Sequence, residues 1–256
     1  MDINAIKKRL TQLTSQTNKT SNLWKPQPGK NQIRIVPYAH CKENPFIELY
    51  FHYEIGQRSY LSPMSFGRPD PIEEFAEKLK AGGNKDDWKL GKKLEAKMRT
   101  FVPVVVRGQE KEGVKFWGFG KTVYQELLTF IADPDYGDIA DPATGRDIVV
   151  TFKTAEETGK AFPSTSIMVK PNQTPISEDK EVMDSVSNQV EITSIYKELP
   201  YDDLTGILED WLNPSEGEED KKVEVATATA AVEKTVDTKT ETTANAADAF
   251  DDLFNN

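Results

Sequence analysis

The run Lys115-Phe116-Trp117-Gly118-Phe119-Gly120-Lys121 packs two cations and three aromatic rings into seven residues. Read as a strand, it turns Lys115, Trp117, Phe119 and Lys121 to one face and Phe116 to the other. Ammonium groups interleaved with flat rings suit a polyanion with unpaired bases: the cations hold phosphates while bases stack on the rings, at about 1–3 kcal/mol each. A duplex keeps its base faces covered, so such rings serve single strands. The same interleaving recurs in Tyr50-Phe51-His52-Tyr53, in Arg58-Ser59-Tyr60, at Arg68 and in Arg99-Thr100-Phe101. The candidate nucleic-acid set is therefore Tyr50, Arg58, Tyr60, Arg68, Arg99, Phe101, Lys115, Trp117, Phe119 and Lys121. The plainer alternative for the Lys115–Lys121 run is a strand whose ring face is buried under a helix.

Catalysis finds little support. Phe119-Gly120-Lys121-Thr122 ends like a phosphate-binding loop, but that motif needs a glycine five residues before Gly120, where Lys115 stands. His40 and His52 are the only histidines, and neither an HExxH nor a GxSxG pattern occurs. The single cysteine, Cys41, excludes an internal disulfide and a cysteine-rich zinc site. Asp133, Asp135, Asp138, Asp141 and Asp147 lack the spacing and the closing glutamate of a calcium loop. The expectation is a protein that is not an enzyme and holds no metal.

Charge divides the chain. Residues 1–121 hold 22 Lys+Arg against 13 Asp+Glu, residues 122–212 hold 6 against 18, and residues 213–256 hold 4 against 11. A basic, ring-rich half followed by an acidic tail is suited to holding a polyanion and to competing with it. No apolar run reaches the length of a signal peptide or a membrane span, so the expected setting is soluble and cytosolic, with no membrane partner.

The elements that must position these residues are mostly strands. Ile33 and Ile35 alternate with Arg34, and Ile47, Leu49, Phe51 and Tyr53 alternate with Glu48, Tyr50 and His52. Asp70-Pro71-Ile72-Glu73 opens a helix with a capping carboxylate and proline at its first position. A second helix is expected to carry Leu90, Leu94 and Met98. Strands are expected at 101–106, 114–119, 148–152 and 162–169, and helices at 123–132 and around Leu204, Ile207, Leu208 and Trp211. Short strands broken by Gly and Pro predict a mainly β protein with inserted helices, an α+β antiparallel barrel.

Both ends read differently from the middle. Ile3, Ile6, Leu10 and Leu13 make a short basic amphipathic helix with Lys7, Lys8 and Arg9. Beyond Pro214 the composition is too poor in bulky residues to offset ordering entropy, so residues 213–247 are expected to be disordered. Phe250, Leu253 and Phe254 then cluster among Asp248, Asp251 and Asp252, and a tail without a core would aim such residues at a partner.

Taken in order, the chain resembles the single-stranded DNA-binding, helix-destabilising proteins of T-even-type bacteriophages. The resemblance rests on Trp24-Lys25, Asn31-Gln32-Ile33-Arg34-Ile35-Val36-Pro37, Asn44-Pro45-Phe46, His52 and the Asp70-Pro71-Ile72-Glu73 start. It continues through Arg99, Val104-Val105-Val106, Phe119-Gly120-Lys121 and the ending Asp251-Asp252-Leu253. It implies a basic arm (residues 1–20) in which Lys7, Lys8 and Arg9 drive cooperative self-association. An OB-fold-like core (21–212) would follow, with Arg34 and Trp117 in its DNA groove. The acidic tail (213–256) would recruit replication and recombination proteins through Phe250, Asp251, Asp252, Leu253 and Phe254. The implied setting is the cytoplasm of an infected bacterial host. Well-studied members hold zinc with one histidine and three cysteines; here Asp70 and Glu73 stand at two cysteine positions and Ser62 or Ser65 near the third, so no zinc is expected. The alternative is an acidic scaffold or DNA mimic whose tail engages a basic partner.

Overall fold

The computed structural model describes residues 22–41, 43–56, 58–213 and 244–254. The arm at 1–20, with Lys7, Lys8 and Arg9, lies outside the described residues, as do residues 214–243 of the tail. Eight strands are described: β1 (Leu23–Trp24), β2 (Gly29–Ile35), β3 (Ile47–Ile55), β4 (Arg58–Leu61), β5 (Lys97–Val106), β6 (Lys115–Phe119), β7 (Arg146–Lys153) and β8 (Ser164–Gln173). The helices are α1 (Pro71–Ala81), α2 (Lys85–Leu94), α3 (Lys121–Ala132), α4 (Ala155–Thr158), α5 (Lys180–Ser187), α6 (Tyr201–Leu212) and α7 (Ala244–Phe254). The fold is mixed α and β with a mostly antiparallel sheet.

The described residues form two compact units, and the division falls within β3 and within β5. Residues 22–48 and 99–195 make the first unit; residues 49–98, 196–213 and 244–254 make the second. The stretch 21–212, expected as one core, is thus shared between both.

In the first unit the strands pair in the order β1-β6-β5-β2-β7-β8, and this path is open rather than closed into the expected barrel. All neighbours are antiparallel except β1 and β6, where Leu23 pairs with Phe116 and Trp24 with Trp117 in parallel. Strand β2 is central, so both of its edges are paired. Ile33 and Ile35 join Val102, Val104, Trp117, Leu127 and Ile148 in one core, while Val36, Val105, Ile176 and Val182 form another. Ile33, Arg34 and Ile35 of β2 are therefore all interior, whereas β8 keeps an exposed face that carries Met168 between the buried Ile167 and Val169.

The second unit pairs the β3–β4 hairpin with four helices, α1, α2, α6 and α7. Helix α1 begins as the sequence dictates: the Asp70 carboxylate caps it, accepting from the N–H of Ile72 (2.9 Å) and Glu73 (3.3 Å), with Pro71 inside the first turn. Ile72, Phe75, Ala76 and Leu79 are buried on one face. Helix α2 starts at an Asn84 cap and ends at Leu94, because Glu95 turns to an extended ψ of 136°. Met98, expected on that helix, lies in β5 instead. The β-branched run that follows it favours extended backbone.

A buried cluster anchors this unit. His52 Nδ1 donates to the Leu94 carbonyl (2.7 Å), His52 Nε2 lies 2.9 Å from Asp70 Oδ2, and the Ser62 hydroxyl donates to the same oxygen. These are positions where the resemblance would set zinc ligands, but the donors do not fit that metal. Both His52 nitrogens are engaged, and Glu73 Oε2 accepts from the Ala96 N–H (2.9 Å), so no tetrahedral set of soft donors is available. Burial alone would raise the Asp70 carboxyl, yet the His52 hydrogen bond and charge, with Ser62 and the Glu73 N–H, hold it below its ordinary 3.8. A carboxyl lowered by folding binds fewer protons in the native state. Its stabilisation is complete above the unfolded value and disappears as pH falls through the folded one. The urea midpoint should therefore fall as pH drops below about 4, and Asp70→Asn should flatten that fall. An Asp70→Asn protein with the wild-type acid profile would show that the cluster is not its origin.

Candidate nucleic-acid interface

Seven of the sequence-derived residues belong to the first unit: Arg34, Arg99, Phe101, Lys115, Trp117, Phe119 and Lys121. Four of them are interior and are corrected here. Phe101, Trp117 and Phe119 are 2%, 2% and 4% exposed: α3 packs above the face that carries Trp117 and Phe119, and Phe101 lies on the other face across Gly118. Trp117 meets Trp24 edge-on at 5.8 Å and Phe119 at 4.6 Å; its other face has no room for a base. Phe116 is buried as well, against Tyr38 on the opposite face.

Arg34 is fully buried, since it alternates with Ile33 and Ile35 on the central strand. Its Nη1 lies 3.3 Å from Asp147 Oδ1 and donates to Thr174 Oγ1 (3.2 Å), and its Nη2 donates to the carbonyls of Asp141 (3.2 Å) and Thr174. Gly145 makes space for it: a Cβ there would fall 2.9 Å from Arg34 Nη2 and closer still to two carbonyl oxygens. Asp147 is also held by Arg107 Nη2 (2.8 Å) and Gln32 Nε2 (2.7 Å). Burial opposes ionisation of Asp147, but these partners outweigh it and hold its carboxyl below the ordinary value. This is a structural ion cluster.

Lys115 is also committed, pairing with Glu112 while mostly buried. Arg99 and Lys121 remain, and strand register places them at one end of β6. Thr100 pairs with Phe119, so Arg99 lies beside Gly120 and Lys121 begins α3 immediately after. Arg99 Nη2 donates to the Gly118 carbonyl (2.7 Å), and the bare Cα of Gly118 lets Phe101 and Arg99 lie across it.

A third cation joins them. Trp24 pairs with Trp117, which brings Lys25 alongside Gly118. Burial, and after it the Arg99 guanidinium, lower the Lys25 ammonium from its ordinary value. Helix α3 opens on Gly120 without a side-chain cap and without an acid in its first turn, so its first N–H groups face the same end of β6.

No protein-family model matches the chain, and no curated protein matches it.

The remaining four residues belong to the second unit. Tyr60 pairs with His52 across the hairpin, Arg58 is exposed at its turn, and Tyr50 is half-buried. Arg68 is more than half exposed, lies 5.0 Å over the Phe66 ring and pairs with Glu198 (2.7 Å). The structure thus gathers Arg99 and Lys121 with Lys25, and Tyr50, Arg58 and Tyr60 on one hairpin. Sequence reading took Lys25 only as part of the Trp24-Lys25 resemblance and did not place it among the site residues. It also passed over Phe162, 66% exposed in the β7–β8 connection two residues after the exposed Lys160. Among the described residues, no three His, Cys, Asp or Glu side chains gather as a metal-holding group, and no helix is long and apolar enough to cross a membrane.

Proposed function

We propose that the chain binds single-stranded DNA without sequence preference and without enzymatic activity, in phage replication, recombination and repair inside the infected bacterium. The observation that supports this best is Lys25 held beside Arg99 at the uncapped start of α3, an arrangement suited to backbone phosphate. With Phe101, Trp117 and Phe119 interior, base stacking in the first unit falls to the exposed Phe162, two residues after Lys160. An OB-fold-like arrangement of the sheet belongs to the same reading, and the antiparallel pairing of β2 on both edges favours it. Self-association through residues 1–20, recruitment of replication proteins by the tail, and the absence of a cofactor complete the proposal.

The test is anisotropy of a labelled oligo-dT and of a duplex of equal length across a salt series. The single strand should bind tighter. Lys25→Ala and Lys121→Ala should each make the slope of log K against log salt shallower by about 0.7 while leaving thermal melting unchanged. Phe162→Ala should weaken binding by about 1–3 kcal/mol with the slope retained. Duplex binding as tight as single-strand binding, with all slopes unmoved, would sink the reading. Binding to basic proteins alone would leave the acidic scaffold in its place.

A further inference from the structure

The apolar residues at the end of the tail do not stand free: α7 is docked within the second unit. Ala246 and Phe250 are buried with Phe75 and Leu79 of α1 and with Leu204 and Leu208 of α6. The Phe250 ring meets Phe75 edge-on at 6.0 Å, and Phe254 lies 6.4 Å from Tyr201. At the rim, Lys78 Nζ is 3.6 Å from Asp252 Oδ2. The stripe that enters the groove is Ala246, Phe250 and Phe254, at steps of four; Leu253, expected in the apolar cluster, is the more exposed.

An 11-residue helix is too short to persist alone in water, so α7 depends on this groove for its shape. Residues 213–243 join it to α6, a connection of 31 residues that spans up to about 100 Å when extended. Such a tether supplies its own helix at a local concentration of roughly 1 mM. A neighbour's helix offered at similar concentration competes on equal terms. Each copy carries both groove and helix, the two halves of a head-to-tail contact.

We propose that the α1–α6 groove is an exchangeable receptor for α7, filled by the chain's own helix in dilute solution and by the α7 of a second copy when copies are crowded. Side-by-side binding on DNA would supply that crowding; this clause alone rests on the DNA reading.

Two full-length variants in a Cys41→Ser background, one with Lys78→Cys and the other with Asp252→Cys, are mixed and treated with a short bis-maleimide. The mixed dimer should exceed the dimers of either variant alone by about tenfold, and should grow as chain concentration approaches about 1 mM without DNA. Adding Phe250→Asp to the Asp252→Cys chain should remove it. A mixed dimer no more abundant than the homodimers at every concentration overturns the proposal.

A second measurement needs no crosslink. A labelled peptide of residues 242–256 should bind full-length Phe250→Asp protein, whose own helix cannot fill the groove, about tenfold or more tighter than wild type. Lys78→Glu should weaken that binding, and Asp252→Lys in the peptide should restore it. Equal binding to both proteins also overturns the proposal. Poly-dT is added in a separate arm with its occupancy followed by anisotropy. More mixed dimer on occupied DNA supports exchange there. Absence of DNA binding counts against the proposed function, while the concentration series still decides the exchange.

Discussion

Arg34→Ala should cost about 3–5 kcal/mol of stability, from the cavity and the carbonyls left unpaired, and leave the salt dependence of DNA binding unchanged. The guanidinium is fully buried and ties three segments together: Asp147 on β7, the Asp141 carbonyl, and Thr174 beyond β8. Truncation opens a cavity beneath the central strand and strips a donor from each carbonyl it served. Arg107 and Gln32 keep Asp147 ionised, so the loss comes from the vacated site rather than from a stranded carboxylate. Arg34→Lys should rescue little, because one ammonium cannot reach four acceptors held by a planar fork. Urea unfolding measures the cost. A stable Arg34→Ala protein whose salt slope is shallower by about 0.7 would return Arg34 to the phosphate-binding set.

Trp117→Ala should be comparably damaging, at about 3–5 kcal/mol, since a large ring leaves the interior of the first unit. Trp24 on one side and Phe119 on the other would lose their edge and tilted contacts with it. Trp117→Phe should retain most of the stability. Trp117 emission should be blue-shifted and indifferent to added oligo-dT. The opposite pair of results, normal unfolding with affinity weakened by about 1–3 kcal/mol, would make Trp117 a stacking ring after all.

Those two residues show where sequence reading stops. Helix α1 was legible from Asp70-Pro71-Ile72-Glu73 because its start is decided by local hydrogen bonds, β2, β3 and β6 were legible from alternation, and β5 from its apolar, valine-rich run. Alternation states that Arg34 opposes Ile33 and that Trp117 opposes Phe116. It does not state which face meets solvent. That depends on residues 141–145 and Thr174 closing over Arg34, and on α3 covering the Trp117 face of β6, which are contacts between residues far apart in the chain. Lys25 entered only through the Trp24-Lys25 resemblance and not as a site residue for the same reason, as its nearness to Arg99 exists only through the parallel pairing of β1 with β6. The helical spacing of Phe250 and Phe254 was plain, but the groove that receives them is assembled from α1 and α6, which lie more than a hundred residues apart in sequence.

The division of the chain within β3 and β5 also orders events during synthesis. Strand β2 emerges early, yet one of its two partner strands is β7, and the Gln32–Asp147 hydrogen bond spans 115 residues. At roughly 5–20 residues per second, the central strand of the first unit waits about ten seconds for that edge to be filled. The helices α1 and α2 can pair with each other meanwhile, but their common core is completed only when Leu204 and Leu208 of α6 arrive. A nascent chain stalled before residue 146 would hold a half-paired strand of Ile33 and Ile35, the kind of open edge that recruits chaperones or aggregates.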